Sequence, residues 1–421
     1  MKKNLTEICE NFTVSFGWAV SGTLTGLILG AVGAVFSRSI GIVTEFRIAH
    51  PLIIWLLPLA GLVIAFLYEK AGKSVDGGTN LIIQSLLDGK KIPILLAPLI
   101  FISTVLTHLF GGSAGREGAA LQLGGSIGQG IFNFFRHAFS NAPQQKEKKI
   151  FSVENASIMT MAGMAGAFSA LFGTPFAACF FAMEVSRVGK MRLEALIACA
   201  SSSLSAFLMA TFLGSAPERF EAELPEMLTS QNLFSVFLLC VLCAAMSRLF
   251  CFVMHSAGHL YQKFLKNPYI RIVAGGLAVA LLSFFIGPNL YNGAGLNVVE
   301  LALEGEAPLE ACIVKMLFTA LTLRAGYKGG EIVPTLYIGA TFGAAFSFFT
   351  TSLLGAGFAP LALCVPAAMC AMFCGVTNCP VSSLLLAFEL FGYEGAPFYF
   401  IAVAVCFAFS GKVSLYSAQK Y

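Results

Sequence analysis

Between Glu331 and Glu389 the chain runs for 57 residues, 332–388, without one charged side chain. A helix needs about 20 apolar residues to cross the hydrocarbon core of a bilayer, so this stretch has room for two or three crossings. Further uncharged runs at 18–37, 51–68, 155–183, 195–217, 228–247 and 272–299 each reach about one crossing or more. Only 11% of the 421 residues are charged and 57% are hydrophobic, against about 25% charged in a soluble domain. The chain is a polytopic membrane protein. Its N-terminus, MKKNLTEICENF, lacks the short apolar stretch and small-residue site of a removable signal peptide. The net charge of +4 is scattered, which argues against nucleic acid as a partner and leaves membrane lipid as the surroundings. Basic clusters at 136–149, 187–192 and 263–271 are expected on cytoplasmic loops. Cys243, Cys364, Cys370 and Cys374 lie in apolar segments without metal-ligand spacing and are read as small buried hydrophobes.

Several apolar segments are too short to span, as in GGTNLIIQSLLDG (77–89) and GAGLNVVELALEG (293–305). Paired short helices suggest a transporter built from inverted repeats, and landmarks in the two halves keep register. Gly77 and Gly89 are spaced like Gly293 and Gly305. With Glu117 set opposite Ile332, Thr104 and Thr107 match Thr319 and Thr322, and Gly124 and Gly128 match Gly339 and Gly343. Phe168, Pro175 and Glu184 repeat as Phe373, Pro380 and Glu389. The related halves cover roughly 14–213 and 229–409, dividing the chain into an N-terminal membrane repeat (1–213), a linker (214–231) and a C-terminal membrane repeat (232–421).

Inverted repeats bring equivalent helix ends together near the midplane. Each N-terminus carries about half a positive charge and unpaired N–H groups, so helices starting after Gly78, Gly115 and Gly330 are expected to form an anion site. In GREGAALQLGGSIG (115–128) a carboxylate stands at such a start. Ionised, Glu117 can fill the anion site itself; protonated, it can swing away, acting as both gate and proton carrier. Arg116 is expected to face water or hold a loop. His108, in an apolar run, is read as a packing residue.

The stretch GREG, together with the loops GTNLI (78–82), GEIVP (330–334) and SLYSA (414–418), resembles the CLC family of anion channels and anion/proton exchangers over essentially the whole chain. The usual family pattern has GSGIP, GREGP, GxFxP and LYSA. The departures here resemble the fluoride-exporting branch, in which the first loop commonly reads GxNLI. Chloride/proton exchangers usually carry two adjacent acids nine and ten residues after a proline, the second relaying protons. In TPFAACFFAMEVSR (174–187) those positions are Glu184 and Val185, so the relay position is apolar and Glu184 is not read as the relay. Thr79 argues neither for nor against the branch.

The resemblance implies an all-α CLC-type architecture of two inverted-topology repeats with short, tilted and broken helices. It also implies a homodimer with one pathway per subunit, cytoplasmic termini and a location in the plasma membrane. The implied function is secondary exchange of fluoride for protons, with chloride/proton exchange or a chloride channel as the alternative. Anion contacts fall to Gly78, Thr79, Asn80, Ile332, Val333 and Tyr416, the last through its phenol. Glu331 either accepts hydrogen bonds from Asn80 and braces two loops, the preferred role, or takes part in proton movement. No HExxH pair, metal-ligand cluster or nucleophile elbow suggests an enzyme. The chain ends five residues after Tyr416, so no cytoplasmic nucleotide-binding domain, nucleotide or cofactor is expected.

Overall fold

The computed structural model describes residues 2–72, 77–138, 155–220, 228–287, 289–355 and 357–421. Parts of the expected linker (221–227) and most of the basic stretch 136–149 lie outside them. Sixteen α-helices are described. The first eight are α1 (Lys2–Ala49), α2 (Leu57–Ala71), α3 (Gly78–Asp88), α4 (Leu96–Leu109), α5 (Glu117–Ala138), α6 (Ala156–Phe172), α7 (Pro175–Glu184) and α8 (Leu196–Phe212). The second eight are α9 (Ser230–Phe264), α10 (Pro268–Ile286), α11 (Leu296–Glu304), α12 (Ala311–Ala325), α13 (Ile332–Leu354), α14 (Leu361–Thr377), α15 (Pro380–Phe391) and α16 (Ala396–Ser410).

Each helix of the first set has its counterpart eight places on. The short pair α3 and α11 have 11 and 9 residues, and the pair α5 and α13 have 22 and 23. Six segments among the described residues are long and apolar enough to cross a bilayer. The uncharged run 155–183, long enough for one crossing, instead forms α6 and α7, broken at Gly173, where φ is +70°. Likewise 272–299 ends one helix at Ile286 and enters α11, and 332–388 holds α13, α14 and most of α15. A helix of 10 residues such as α7 rises only about 15 Å, so these pieces end inside the protein.

Lipid is as apolar as a leucine side chain, so helices associate in a membrane through close van der Waals packing. Glycines set that closeness. A Cβ at Gly26 of α1 would stand 2.1 Å from Ser205 Oγ and 2.2 Å from Ser202 O of α8. Gly22 and Gly30, one turn to either side, also meet that helix, at 2.2 and 2.6 Å. The glycines matched by the repeat do one task twice. A Cβ at Gly128 would meet Met159 O of α6 at 2.3 Å, and one at its match, Gly343, would meet Cys364 O of α14 at 2.6 Å. Cys243, Cys364, Cys370 and Cys374 are buried free thiols.

Where the halves meet, equivalent residues face one another. Phe176 N and Ala177 N, opening α7, donate to Glu389 at 3.0 and 2.8 Å. Val381 N and Ser382 N, opening α15, donate to Glu184 at 3.1 and 3.0 Å. Each carboxylate thus caps the other repeat's helix, which explains the repeated Pro–Glu spacing. Such reciprocity places a local two-fold axis between the helices.

Candidate functional site

A second crossing of the halves builds the site. Gly115 N donates to Gly330 O at 2.8 Å and Gly330 N to Gly115 O at 2.7 Å, an isolated antiparallel bridge. Each glycine stands two residues before its helix, α5 or α13, so equivalent loops pair. Flanking bonds are reciprocal too: Ser113 N donates to Thr322 Oγ1 at 3.0 Å, and Lys328 N to Thr107 Oγ1 at 3.3 Å. The threonines matched in the sequence register therefore fasten the two loops. A Cβ on Gly330 would fall 2.2 Å from Gly118 N, and one on Gly118 2.7 Å from Gly330 Cα. Only glycine lets the ends of α5 and α13 abut.

At that junction Glu117 is the first residue of α5 and 1% exposed. Its Oε1 lies 3.4 Å from Arg116 Nε. Its Oε2, next to Gly115, has no hydrogen-bond partner among the described residues. A carboxylate oxygen without a partner in the interior is costly to ionise; what offsets the cost here is a helix N-terminus with unpaired amides. The first backbone bond of α5 is Ala120 N to Arg116 O, and that of α13 is Thr335 N to Glu331 O. The amides of Ile332 and Val333 therefore precede it, as do those of 117–119. Arg116 also donates to Ser37 Oγ (2.9 Å), Leu171 O (3.3 Å) and the Glu218 carboxylate. It ties the segment after α8 to α1 and α6.

Thr79, Asn80, Glu331 and Tyr416 line one cavity of about 320 Å³, with Gly78 at the start of α3. Glu117, Ile332 and Val333 are not among its lining residues, though Gln122 of α5 and Glu331, just before α13, are. Gly78 takes φ +57°, which a glycine adopts without strain, and Thr79 is 7% exposed. Asn80 Oδ1 accepts from Ala418 N at 3.0 Å, fixing the C-terminal tail to α3. Tyr416 is 2% exposed and its hydroxyl has no partner among the described residues. The tail is held by Leu415 N to Val376 O and by Gln419 Nε2 to Val185 O, both at 3.0 Å. Val185 is fully buried.

The expected brace between Asn80 and Glu331 is absent among the described residues. The Asn80 amide nitrogen, the donor that such a brace needs, makes no hydrogen bond to Glu331, whose Oε1 lies 3.9 Å from Arg324 Nη2. His108 is buried, with Nδ1 2.9 Å from Thr104 O and Nε2 without a partner among the described residues.

Sequence reasoning missed several polar residues nearby. Gln122 is buried, donates to Gly118 O at 3.2 Å and lines the same cavity as Arg324 and Lys328. A glutamine five residues after the glutamate, in a helix of small and apolar residues, was the available signal. Two buried cations also escaped notice. Lys315 Nζ donates to Tyr291 O (3.0 Å) and Gly293 O (2.8 Å) and stands 4.8 Å from the centre of the Tyr337 ring. Arg47 Nη1 donates to His108 O at 3.1 Å. Here the repeat symmetry breaks: α3 opens on the cavity, whereas a Cβ at Gly295, which caps α11, would strike the Tyr337 ring at 2.6 Å.

This arrangement, inverted repeats whose broken helices bring their N-termini together at a buried carboxyl, defines a membrane transport protein rather than a receptor or scaffold. The family described as "Voltage gated chloride channel" matches residues 60–411. The chain belongs to that family, the CLC anion channels and anion/proton exchangers. It is 32% identical over 410 residues to the "Chloride/fluoride channel protein" of Pseudomonas syringae pv. tomato, covering 96% of this chain and 86% of that one. It is 25% identical over 406 residues to an "H(+)/Cl(-) exchange transporter ClcA" of Vibrio cholerae, covering 87% and 80%. Among solved structures, a CLC-type fluoride/proton antiporter superposes with a TM-score of 0.87 at 29% identity, covering 96% and 98% of the two chains. A slow cyanobacterial Cl⁻/H⁺ antiporter superposes with a TM-score of 0.79 at 19% identity, covering 95% and 96%.

Proposed function

We propose that this protein exchanges fluoride for protons across the plasma membrane, the inward proton gradient driving fluoride out. The observation that carries the mechanism is the Glu117 carboxyl, buried where the N-termini of α5 and α13 abut, with one oxygen free of any described partner. Ionised, Glu117 occupies the amide-lined position as an anion. Protonated, it loses the attraction of the helix ends and leaves, and a transported anion takes its place.

Fluoride is small and strongly hydrated, so a site for it must supply many donors at once. The amides of Gly78, Ile332 and Val333, the Asn80 side chain and the unpartnered Tyr416 hydroxyl are those donors, and Thr79 adds a hydroxyl. The choice of fluoride rests on the GTNLI and GEIVP loops, on valine at position 185, and on the fluoride/proton antiporter among the similar structures. Chloride/proton exchange is the second reading, favoured by the likeness to ClcA. Like its relatives, the protein is proposed to work as a homodimer with one path per subunit and with cytoplasmic termini. Arg116 holds the loop that carries Glu117, and Glu331, paired with Arg324, is the acid placed to take part on the cavity side.

Proteoliposomes loaded with fluoride or chloride, with external pH followed during efflux, test this reading. Fluoride efflux linked to proton uptake, with chloride barely moving, is the expected result. Chloride flux as fast as fluoride flux would overturn the fluoride assignment, and proton coupling that survives Glu117→Gln would overturn the role of Glu117.

A further inference from the structure

Away from the ion path, a cavity of about 660 Å³ lies at the opposite ends of α3 and α5 from the site. Five cations line it: Lys91, Arg136, Arg187, Lys190 and Arg192. Among the described residues no aspartate or glutamate does. Arg192 is satisfied, pairing with Glu194 at 2.7 Å and donating to Leu86 O (3.2 Å) and Ser157 Oγ (2.9 Å). The other four have no carboxylate partner among the described residues. The first turn of α6, at Ala156 and Ser157, adds a helix N-terminus to the same wall. Four like charges around one hollow repel one another unless an anion sits among them.

The hollow does not end in water on every side. It shares Lys91 and Asn133 with an open groove walled by Ile92, Pro93, Ile94, Ile127, Ile131 and Phe134. This groove is apolar and faces outward: Ile94 is 57% exposed and Phe134 70%. It is also built to shape. Ile92 N donates to Gln129 Oε1 and Ser126 Oγ to Pro93 O (2.8 Å), fixing the 91–94 segment on α5. Gly130 lets Ile94 lie flat there, since a Cβ would meet Ile94 Cδ1 at 2.6 Å. A basic hollow that opens on an apolar groove matches a molecule with a phosphate at one end and a hydrocarbon chain at the other.

We propose that this composite surface binds one anionic phospholipid, its headgroup phosphate among Lys91, Arg136, Arg187 and Lys190 and an acyl chain along Ile94 and Phe134. Basic pockets between membrane helices are suited to anionic headgroups, at about 1 kcal/mol per cation near the surface. A soluble phosphate would use the hollow but gain nothing from the groove. Because α3 and α5 both begin at the ion site, the lipid clamps the far ends of the helices that frame it.

Native mass spectrometry of the full-length protein, offered equal phosphatidylglycerol and phosphatidylcholine, tests the proposal. Wild-type protein should retain phosphatidylglycerol in preference. Arg136→Ala with Lys190→Ala should lower that preference about 25-fold, at about five-fold per cation, while Arg136→Lys with Lys190→Arg keeps it. Ile94→Asp should weaken retention of the whole lipid and leave binding of glycerol phosphate as it was. Equal retention of the two lipids by wild-type protein, or an alanine variant with unaltered preference, would overturn the site. Glycerol phosphate held as tightly as phosphatidylglycerol would overturn the lipid as its occupant.

Discussion

Glu184 and Glu389 stand one at the end of α7 and the other late in α15, and each accepts backbone hydrogen bonds from the start of the other's helix. The pair binds the two repeats across their shared axis through carboxyl caps, and the Ser382 hydroxyl also donates to Glu184.

Replacing either acid by alanine should therefore destabilise the protein by a similar amount, about 1–2 kcal/mol for a lost cap. A fall in melting temperature of the detergent-solubilised protein measures it. Glu184→Gln is expected to leave the proton-to-anion ratio unaltered in liposomes. A changed ratio would make Glu184 a proton carrier after all.

The loop bridge is less tolerant. Gly330→Ala sets a methyl 2.2 Å from Gly118 N, a backbone atom that cannot turn aside. Overpacking of about 1–3 kcal/mol should push the ends of α5 and α13 apart and cut anion flux about tenfold or more. Flux per mole of monodisperse protein is the measure, and wild-type flux would show that the close approach is dispensable.

Tyr416→Phe removes a buried hydroxyl that has no described partner. Loss of an internal bond should therefore not destabilise the fold. If the hydroxyl donates to the anion, its removal costs about 1.5–3 kcal/mol, or about a tenfold or greater weakening of fluoride binding. Isothermal titration with fluoride reads this directly; unchanged affinity would remove Tyr416 from the path.

Packing of α1 on α8 offers an internal control. Gly26→Leu meets Ser205 Oγ and Ser202 O within 2.2 Å and should destabilise by about 1–3 kcal/mol. Gly41→Ala, on the same helix with nothing within 4 Å, should be neutral or stabilise by up to about 1 kcal/mol through helix propensity. Thermal unfolding of the two variants side by side decides it.

Much of this molecule is legible along the chain because its causes are local. The absence of charge over 332–388 requires a bilayer, and a glutamate between glycines at a helix start points to the junction where two helix ends meet and Glu117 is buried. The repeat is legible because both copies solve the same packing problem, so Gly128 and Gly343 meet neighbouring helices alike. Even so, 155–183 looks like one crossing and is two short helices, because a turn at Gly173 interrupts apolarity without altering it.

What the tertiary structure decided lies between residues far apart in sequence. Asn80 Oδ1 accepts from Ala418 N, 338 residues on, and Glu331 stands nearest Arg324 rather than the Asn80 amide. The single unpartnered oxygen of Glu117 depends on Gly115 meeting Gly330. The opening of α3 and the closing of α11, alike in sequence, depend on whether an aromatic ring from another helix fills the end. A sequence constrains each residue by its own chemistry and its near neighbours. Which of several chemically equal partners it takes is settled only by the packing of the whole.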